Sequence, residues 1–180
     1  VLVDAMPNIS YASASGLVAD CPPEIADRVS LAQCLKNSTK PVLAMPTTLR
    51  ALADSREMAA LAVGGDDELR VRPVLIIYSE PVSPLVHPDE SLRKLLYCAE
   101  HEIPLVYAPY AAMGGTAPQS QTAIIAQMCA ESLSGLAIHQ LRRRGAPFIF
   151  GGMPSVMDMK ITVFSYGAPE FQLGNSLMAE

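Results

Sequence analysis

Short apolar runs alternate with helix-type patterns along this chain, and a proline or glycine stops nearly every run. The runs are Val1 to Asp4, Pro41 to Met45, Pro73 to Tyr78, Leu105 to Ala108, and one from Phe148 that breaks at Gly151-Gly152. Near-continuous apolar strands belong to parallel sheets covered by helices, whereas strands with one wet face alternate. The expected class is therefore α/β, with about five βα units of parallel sheet and outer helices.

The intervening segments carry helix punctuation. Pro22-Pro23 opens a pattern to about Asn37, with Ile25, Val29, Ala32 and Leu35 on one face. Thr47-Thr48 can cap the next helix, Asp54 with Glu57 predicts a restart or kink, and Gly64-Gly65 ends it. Asp66-Asp67-Glu68 reads as a solvated loop. Pro88 with Asp89 and Glu90 suits a helix start, and Thr116 with Gln119 predicts a capping box opening a long helix. Arg142-Arg143-Arg144-Gly145 closes that helix where its dipole favours cations, which gives the basic cluster a structural role. A last helix starts at Gly167-Ala168-Pro169-Glu170.

No GxGxxG follows the first run and no GxxxxGK[ST] occurs, so neither nucleotide-binding version of the architecture is supported. An open sheet is possible, but candidate polar residues stand at every strand end instead of at one crevice, which favours a (β/α)8 TIM barrel. Five units do not close a barrel of eight, Val1 starts inside an apolar run and Glu180 stops inside a helical pattern. The expectation is a single domain over 1–180, an internal fragment of a larger barrel whose exposed strand edges favour association, hence a homo-oligomer.

Half of the residues (50%) are hydrophobic, 17% are charged and the mean hydropathy is +0.25, values that exclude a disordered chain. No apolar run reaches the roughly 18 residues of a membrane span, so no membrane partner and a cytoplasmic location are expected. Cys21, Cys34, Cys98 and Cys129 form no CxxC pair, and His87, His101 and His139 share no ligand spacing with them, so no metal site is expected. A net charge of -5 without a basic stripe argues against nucleic acid.

Three motifs carry a resemblance: EPVSPL at Glu80 to Leu85, GGTAP at Gly114 to Pro118, and PSVMDM with FSYGAPE between Pro154 and Glu170. With them, the chain from about Leu43 onward resembles the trimethylamine methyltransferase superfamily, which also holds the non-pyrrolysine glycine betaine methyltransferases. The resemblance implies a TIM-barrel enzyme that moves a methyl group from a methylated amine or quaternary ammonium to Co(I) of a corrinoid. The corrinoid (cobalamin) would be carried by a partner protein, with no cofactor bound directly. Such chemistry serves methanogenesis or one-carbon metabolism.

A displacement at a methyl carbon asks a site to hold a cation, exclude water and expose one methyl, with little acid-base work. Glu80 and Asp158, both at strand ends, are the carboxylates expected to attract the cation or orient substrate; either can instead cap a loop. Tyr107, Phe150 and Tyr166, with Tyr78, are candidates for an aromatic cage. Gly114 and Gly115 precede a helix and can offer backbone N–H groups to a betaine carboxylate, or form a simple turn. Gly151, Gly152, Met153 and Met157, in the loop after the fifth run, are the residues expected to face the corrinoid. Two alternatives stay open: a non-catalytic solute-binding fragment, and a barrel enzyme of other chemistry. Lys36, Lys40, Lys94 and Lys160 all lie outside the strands, against a Schiff base.

Overall fold

A computed structural model describes residues 2–14, 16 and 18–179; Val1, which opens the first expected strand, and Glu180 lie outside the described residues. In chain order the strands are β1 (Ala12–Ser13), β2 (Val42–Ala44), β3 (Leu75–Ser79), β4 (Leu105–Tyr107), β5 (Tyr110–Met113), β6 (Phe148–Phe150), β7 (Met153–Asp158) and β8 (Val163–Phe164). The helices are α1 (Ala26–Asn37), α2 (Leu49–Val63), α3 (Asp66–Val71), α4 (Asp89–His101), α5 (Gln121–Arg142) and α6 (Pro169–Ala179).

The main sheet has five strands in the order β1-β2-β3-β4-β6, every pair parallel. Spatial order follows chain order, without the reversal that marks a doubly wound sheet. Strand register divides the side chains between two faces. Val42, Leu75, Ile77, Leu105, Tyr107 and Phe148 share one face and join Leu31 of α1, Leu52 and Ala59 of α2, Leu69 of α3, Leu95 and Cys98 of α4 and Ile138 of α5 in a single core. Helices thus cover one face. The other face carries Leu43, Ile76, Tyr78, Val106 and Ile149, and Ile149 is 42% exposed.

Four local expectations are corrected. Residues 2 to 5 form turns, and the first strand is Ala12–Ser13, because the Lys40 ammonium gathers the Val3 and Ile9 carbonyls at 2.8 and 2.6 Å and so bends the segment away from a ladder. α2 is continuous: Thr48 Oγ1 accepts from the Ala51 N–H at 3.1 Å, Gly64 ends the helix at φ 103°, and Asp54 faces Arg28 at 3.4 Å instead of restarting it. Asp66, Asp67 and Glu68 lie in α3, where acids in a first turn complement the helix dipole. α5 begins at Gln121, not at Thr116, because Thr116 Oγ1 already accepts the Ala112 N–H at 3.0 Å and Ala117 bridges Met113. Arg142 pairs with Glu100, and Arg143 with Glu102 at 2.8 Å, as their place at a helix end predicts.

The segments after β4 and β6, expected to be loops, hold strands as well. β4 is interrupted at Ala108-Pro109 and resumes as β5; β6 is interrupted at Gly151-Gly152 and resumes as β7, and β8 folds back on β7 antiparallel. β5 and β7 pair in parallel from Tyr110↔Met153 to Met113↔Val156, and Val82, beyond β3, bridges Tyr110. A second small sheet therefore sits at the carboxyl end of the main one. Among the described residues no helix is long and apolar enough to cross a membrane.

Candidate functional site

Glu80 leaves β3 immediately after Ser79, at the carboxyl edge of the main sheet. Its Oε2 accepts from the Tyr78 hydroxyl at 2.6 Å, and the same hydroxyl lies 3.1 Å from the Ala108 carbonyl. Burial first, then the Glu80 carboxylate, drive the Tyr78 phenol well above its ordinary range, so Tyr78 stays a neutral donor. Tyr110 stands at the start of β5, with its hydroxyl donating to Tyr166 at 3.2 Å. The Tyr110 and Tyr166 rings stack at 6.4 Å and 28°, Phe164 meets Tyr110 edge-on at 5.1 Å, and Phe171 meets Tyr166 edge-on at 5.6 Å. Desolvation raises the Tyr110 pKa, helped by the Tyr166 hydroxyl and, more weakly, by the Glu80 charge. One carboxylate, three phenols and two phenylalanines therefore share this rim, and Tyr166 is 60% exposed.

Beneath the rim, α5 holds the strand ends from one side. Glu131 is only 1% exposed, yet its carboxylate accepts from Ser83 Oγ at 2.7 Å, the Leu85 N–H at 2.9 Å and Gln127 Nε2 at 3.0 Å. Ser132 Oγ donates to the Gly151 carbonyl at 2.9 Å and approaches the Tyr107 carbonyl at 3.3 Å. Ser134 Oγ donates to the Glu131 carbonyl at 2.8 Å, so it accepts from His87 Nε2 at 2.8 Å. His87 Nδ1 is then the acceptor for the Tyr107 hydroxyl at 2.7 Å.

The structure brings together only some of the residues expected from sequence. Glu80 and Tyr166 stand on the same rim: Glu80 accepts from Tyr78, its charge is felt at Tyr110, and Tyr110, which the sequence reading assigned to a loop, donates to Tyr166. Asp158 lies at the far end of β7, about 16 Å along the strand from the Tyr110 level at 3.3 Å per residue. There its Oδ1 accepts the Lys160 and Ile161 N–H groups at 2.8 and 3.3 Å, which caps the turn into β8. Tyr107 is fully buried in the helix-side core with Phe148, against the expectation of a cage position, because its register faces α5. Phe150 pairs in register with Tyr107 and so lies on the sheet face opposite Tyr78.

Gly114, Gly115 and Gly152 pack against methionine side chains, whereas a Cβ on Gly151 would have only the Ala108 Cβ within 4 Å among the described residues. The Gly114 N–H donates to the Ala117 carbonyl and the Gly115 N–H to the Ala112 carbonyl, both at 3.0 Å, so neither is available to a carboxylate. A Cβ on Gly115 would stand 2.9 Å from the Met157 methyl, and one on Gly152 would stand 2.7 and 2.9 Å from the methyls of Met128 and Met178. Gly151 contributes its carbonyl to Ser132, and Met153 continues the ladder opposite Tyr110. Cavities of about 290 and 340 Å³ lie elsewhere, around β1 and α1. They hold none of the rim side chains. Chemistry, more than enclosed volume, therefore locates the site. Among the described residues no three His, Cys, Asp or Glu side chains gather as a metal site.

Sequential parallel strands, helices on one sheet face and a carboxylate among phenols at the strand ends define an α/β protein with a rim suited to a small cation. The sequence model of the trimethylamine methyltransferase (MTTB) family matches residues 2–180, and the chain belongs to that family. It is 30% identical over 161 residues to a glycine betaine methyltransferase of Desulfitobacterium hafniense (strain Y51), covering 89% of this chain and 34% of the relative. A trimethylamine methyltransferase of Desulfitobacterium hafniense (strain DSM 10664 / DCB-2) is 29% identical over 124 residues, 69% of this chain and 25% of its own length. A proline betaine:corrinoid methyltransferase of Eubacterium limosum is 30% identical over 148 residues, 79% of this chain and 30% of its own length. The chain spans about a third or less of the length of these relatives.

Among residues the sequence reading passed over, Glu131 had a visible signal. It stands on the buried stripe of α5 formed by Ile124, Met128, Gly135 and His139, where an unpartnered carboxylate is costly. Tyr110 begins a short apolar run right after Pro109, but that run reads equally as loop.

Proposed function

We propose that this chain carries the cation-binding rim of a methyltransferase acting on a small methylated amine of the quaternary class. The observation that carries the reading is Glu80, hydrogen-bonded to Tyr78, beside the stacked Tyr110-Tyr166 pair at the strand ends. A quaternary ammonium has no N–H to donate, so aromatic faces and a nearby carboxylate are the groups that hold it. Tyr78 keeps the carboxylate oriented, Tyr110 and Tyr166 offer ring faces, and Phe164 and Phe171 meet those rings edge-on. In transfer from a quaternary ammonium the C–N bond breaks with its electron pair left on nitrogen, which departs as a neutral tertiary amine, so the site must position a methyl and needs no proton at that nitrogen.

The main sheet is read as part of a (β/α)8 barrel, supported by its sequential strand order and by helices on one face. A corrinoid carried by a partner protein is proposed as methyl acceptor on the strength of the Eubacterium limosum relative's name. Gly151, Gly152, Met153 and Met157 are its proposed contact surface; Gly152 and Met157 also pack on the chain's own side chains, while Gly151 and Met153 make backbone hydrogen bonds and are half-buried. No step is derived through the corrinoid.

The test is calorimetric binding of glycine betaine, proline betaine and trimethylamine, followed by methyl transfer to a Co(I) corrinoid. Tyr110→Ala and Tyr166→Ala should each weaken binding by about 2- to 30-fold, the range of one cation-π contact of roughly 0.5 to 2 kcal/mol. Wild-type affinity in both variants would sink the cage. Binding without transfer would instead mark a solute-binding role.

A further inference from the structure

We infer that Glu131, on α5, is the positioning residue that sets where Glu80 stands relative to Tyr110. The inference rests on the cation-binding reading of the rim. Glu131 is 1% exposed and sits on the stripe that packs against the sheet, yet two of its three hydrogen bonds leave its own helix for the segment that follows Glu80. Removing a carboxylate from water is costly, and among the described residues this one is stabilised by the bonds it makes to that segment and to Gln127.

The segment is a tight hairpin whose two sides are joined by paired bonds, Val82 N–H to the Val86 carbonyl at 2.8 Å and Val86 N–H to the Val82 carbonyl at 3.0 Å. Ser83 and Leu85, the residues that donate to Glu131, form its tip. Val82 in turn bridges Tyr110, and it stands two positions from Glu80. Anchoring the tip on α5 therefore holds a stretch of backbone that stands two residues from Glu80 and bridges the backbone of Tyr110. The far end of the same connection is held on the next turn of α5, where His87 Nε2 donates to Ser134. A buried carboxylate is a poor choice for packing alone, since an apolar side chain of similar size would serve without the desolvation cost. Its acceptor-only oxygens are suited to gathering a hydroxyl and an N–H that point the same way.

The experiment is a double-mutant cycle with glycine betaine affinity as the readout, using Glu80→Ala, Glu131→Ala and the double variant of the purified protein. Loss of a charged hydrogen-bond acceptor is expected to weaken binding about tenfold in the Glu80 background, and less than about twofold once Glu80 is gone. Glu131→Gln, which keeps an acceptor for the Leu85 N–H, should recover most of the affinity. Ser83→Ala removes one of the same bonds from the loop side and stands in if Glu131→Ala does not fold. Equal losses in both Glu80 backgrounds would show a merely structural role and overturn the inference while leaving the rim intact. Unchanged affinity in Glu80→Ala would overturn the cation-binding reading, and this inference with it.

Discussion

Gly135 shows how closely single atoms are fitted in the core. A Cβ there would lie 2.5 Å from two ring carbons of Tyr107, a ring that is fully buried and tied to His87. Neither partner can yield cheaply, so Gly135→Ala should destabilise the fold by about 1 to 3 kcal/mol. Gly152 is the contrast: its added Cβ would meet the terminal methyls of Met128 and Met178, which can swing aside. Gly152→Ala should cost under about 1 kcal/mol, and urea unfolding of the two variants separates the cases. A reversed ranking would mean that Tyr107 is less firmly held than its contacts indicate.

The secondary elements owe their bounds to chemistry of different ranges. α2 is set locally, by Thr48 at one end and left-handed Gly64 at the other, and both signals are legible in the sequence. Thr48→Ala should therefore lower stability by about 0.5 to 2 kcal/mol, read as a fall in thermal midpoint, with the site geometry unaffected. A midpoint unchanged within error would show that packing, not the cap, sets the start of α2. β5 and β7 are decided at long range. Neither is a convincing strand alone, and they form because interruptions at Ala108-Pro109 and Gly151-Gly152 shift both chains into a second common ladder, opened by the bond from Met153 N–H to the Pro109 carbonyl at 2.9 Å.

Acid stability is a property of the entire fold, and His139 is placed to limit it. The side chain is fully buried on α5 beside Phe148, with Nε2 lacking a hydrogen-bond partner among the described residues, and burial lowers its pKa below the ordinary 6.5. Below pH 6.5 the unfolded chain takes up a proton that the folded chain refuses, so stability is full above that value and falls as the pH drops towards the folded pKa. His139→Gln should flatten the decline of the thermal midpoint below pH 6.5; an unchanged slope would assign the acid sensitivity to other groups.

Sequence by itself determined the α/β class, the parallel character of the main strands, most helix ends and Glu80 as a strand-end carboxylate. Apolar continuity, proline and glycine stops and capping residues act over a few neighbours, so they can be read in one dimension. Tertiary structure alone decided which aromatics reach the rim. Tyr107 and Tyr78 occupy similar positions in similar runs, and only the register Ser79↔Tyr107 turns one to the helices and leaves the other beside Glu80. The same holds for Asp158, whose Oδ1 is spent on the turn into β8, and for Glu131, whose partners lie 46 and 48 positions away in the chain. A side chain's task follows from what folding sets opposite it, and that pairing is not written in its immediate neighbours.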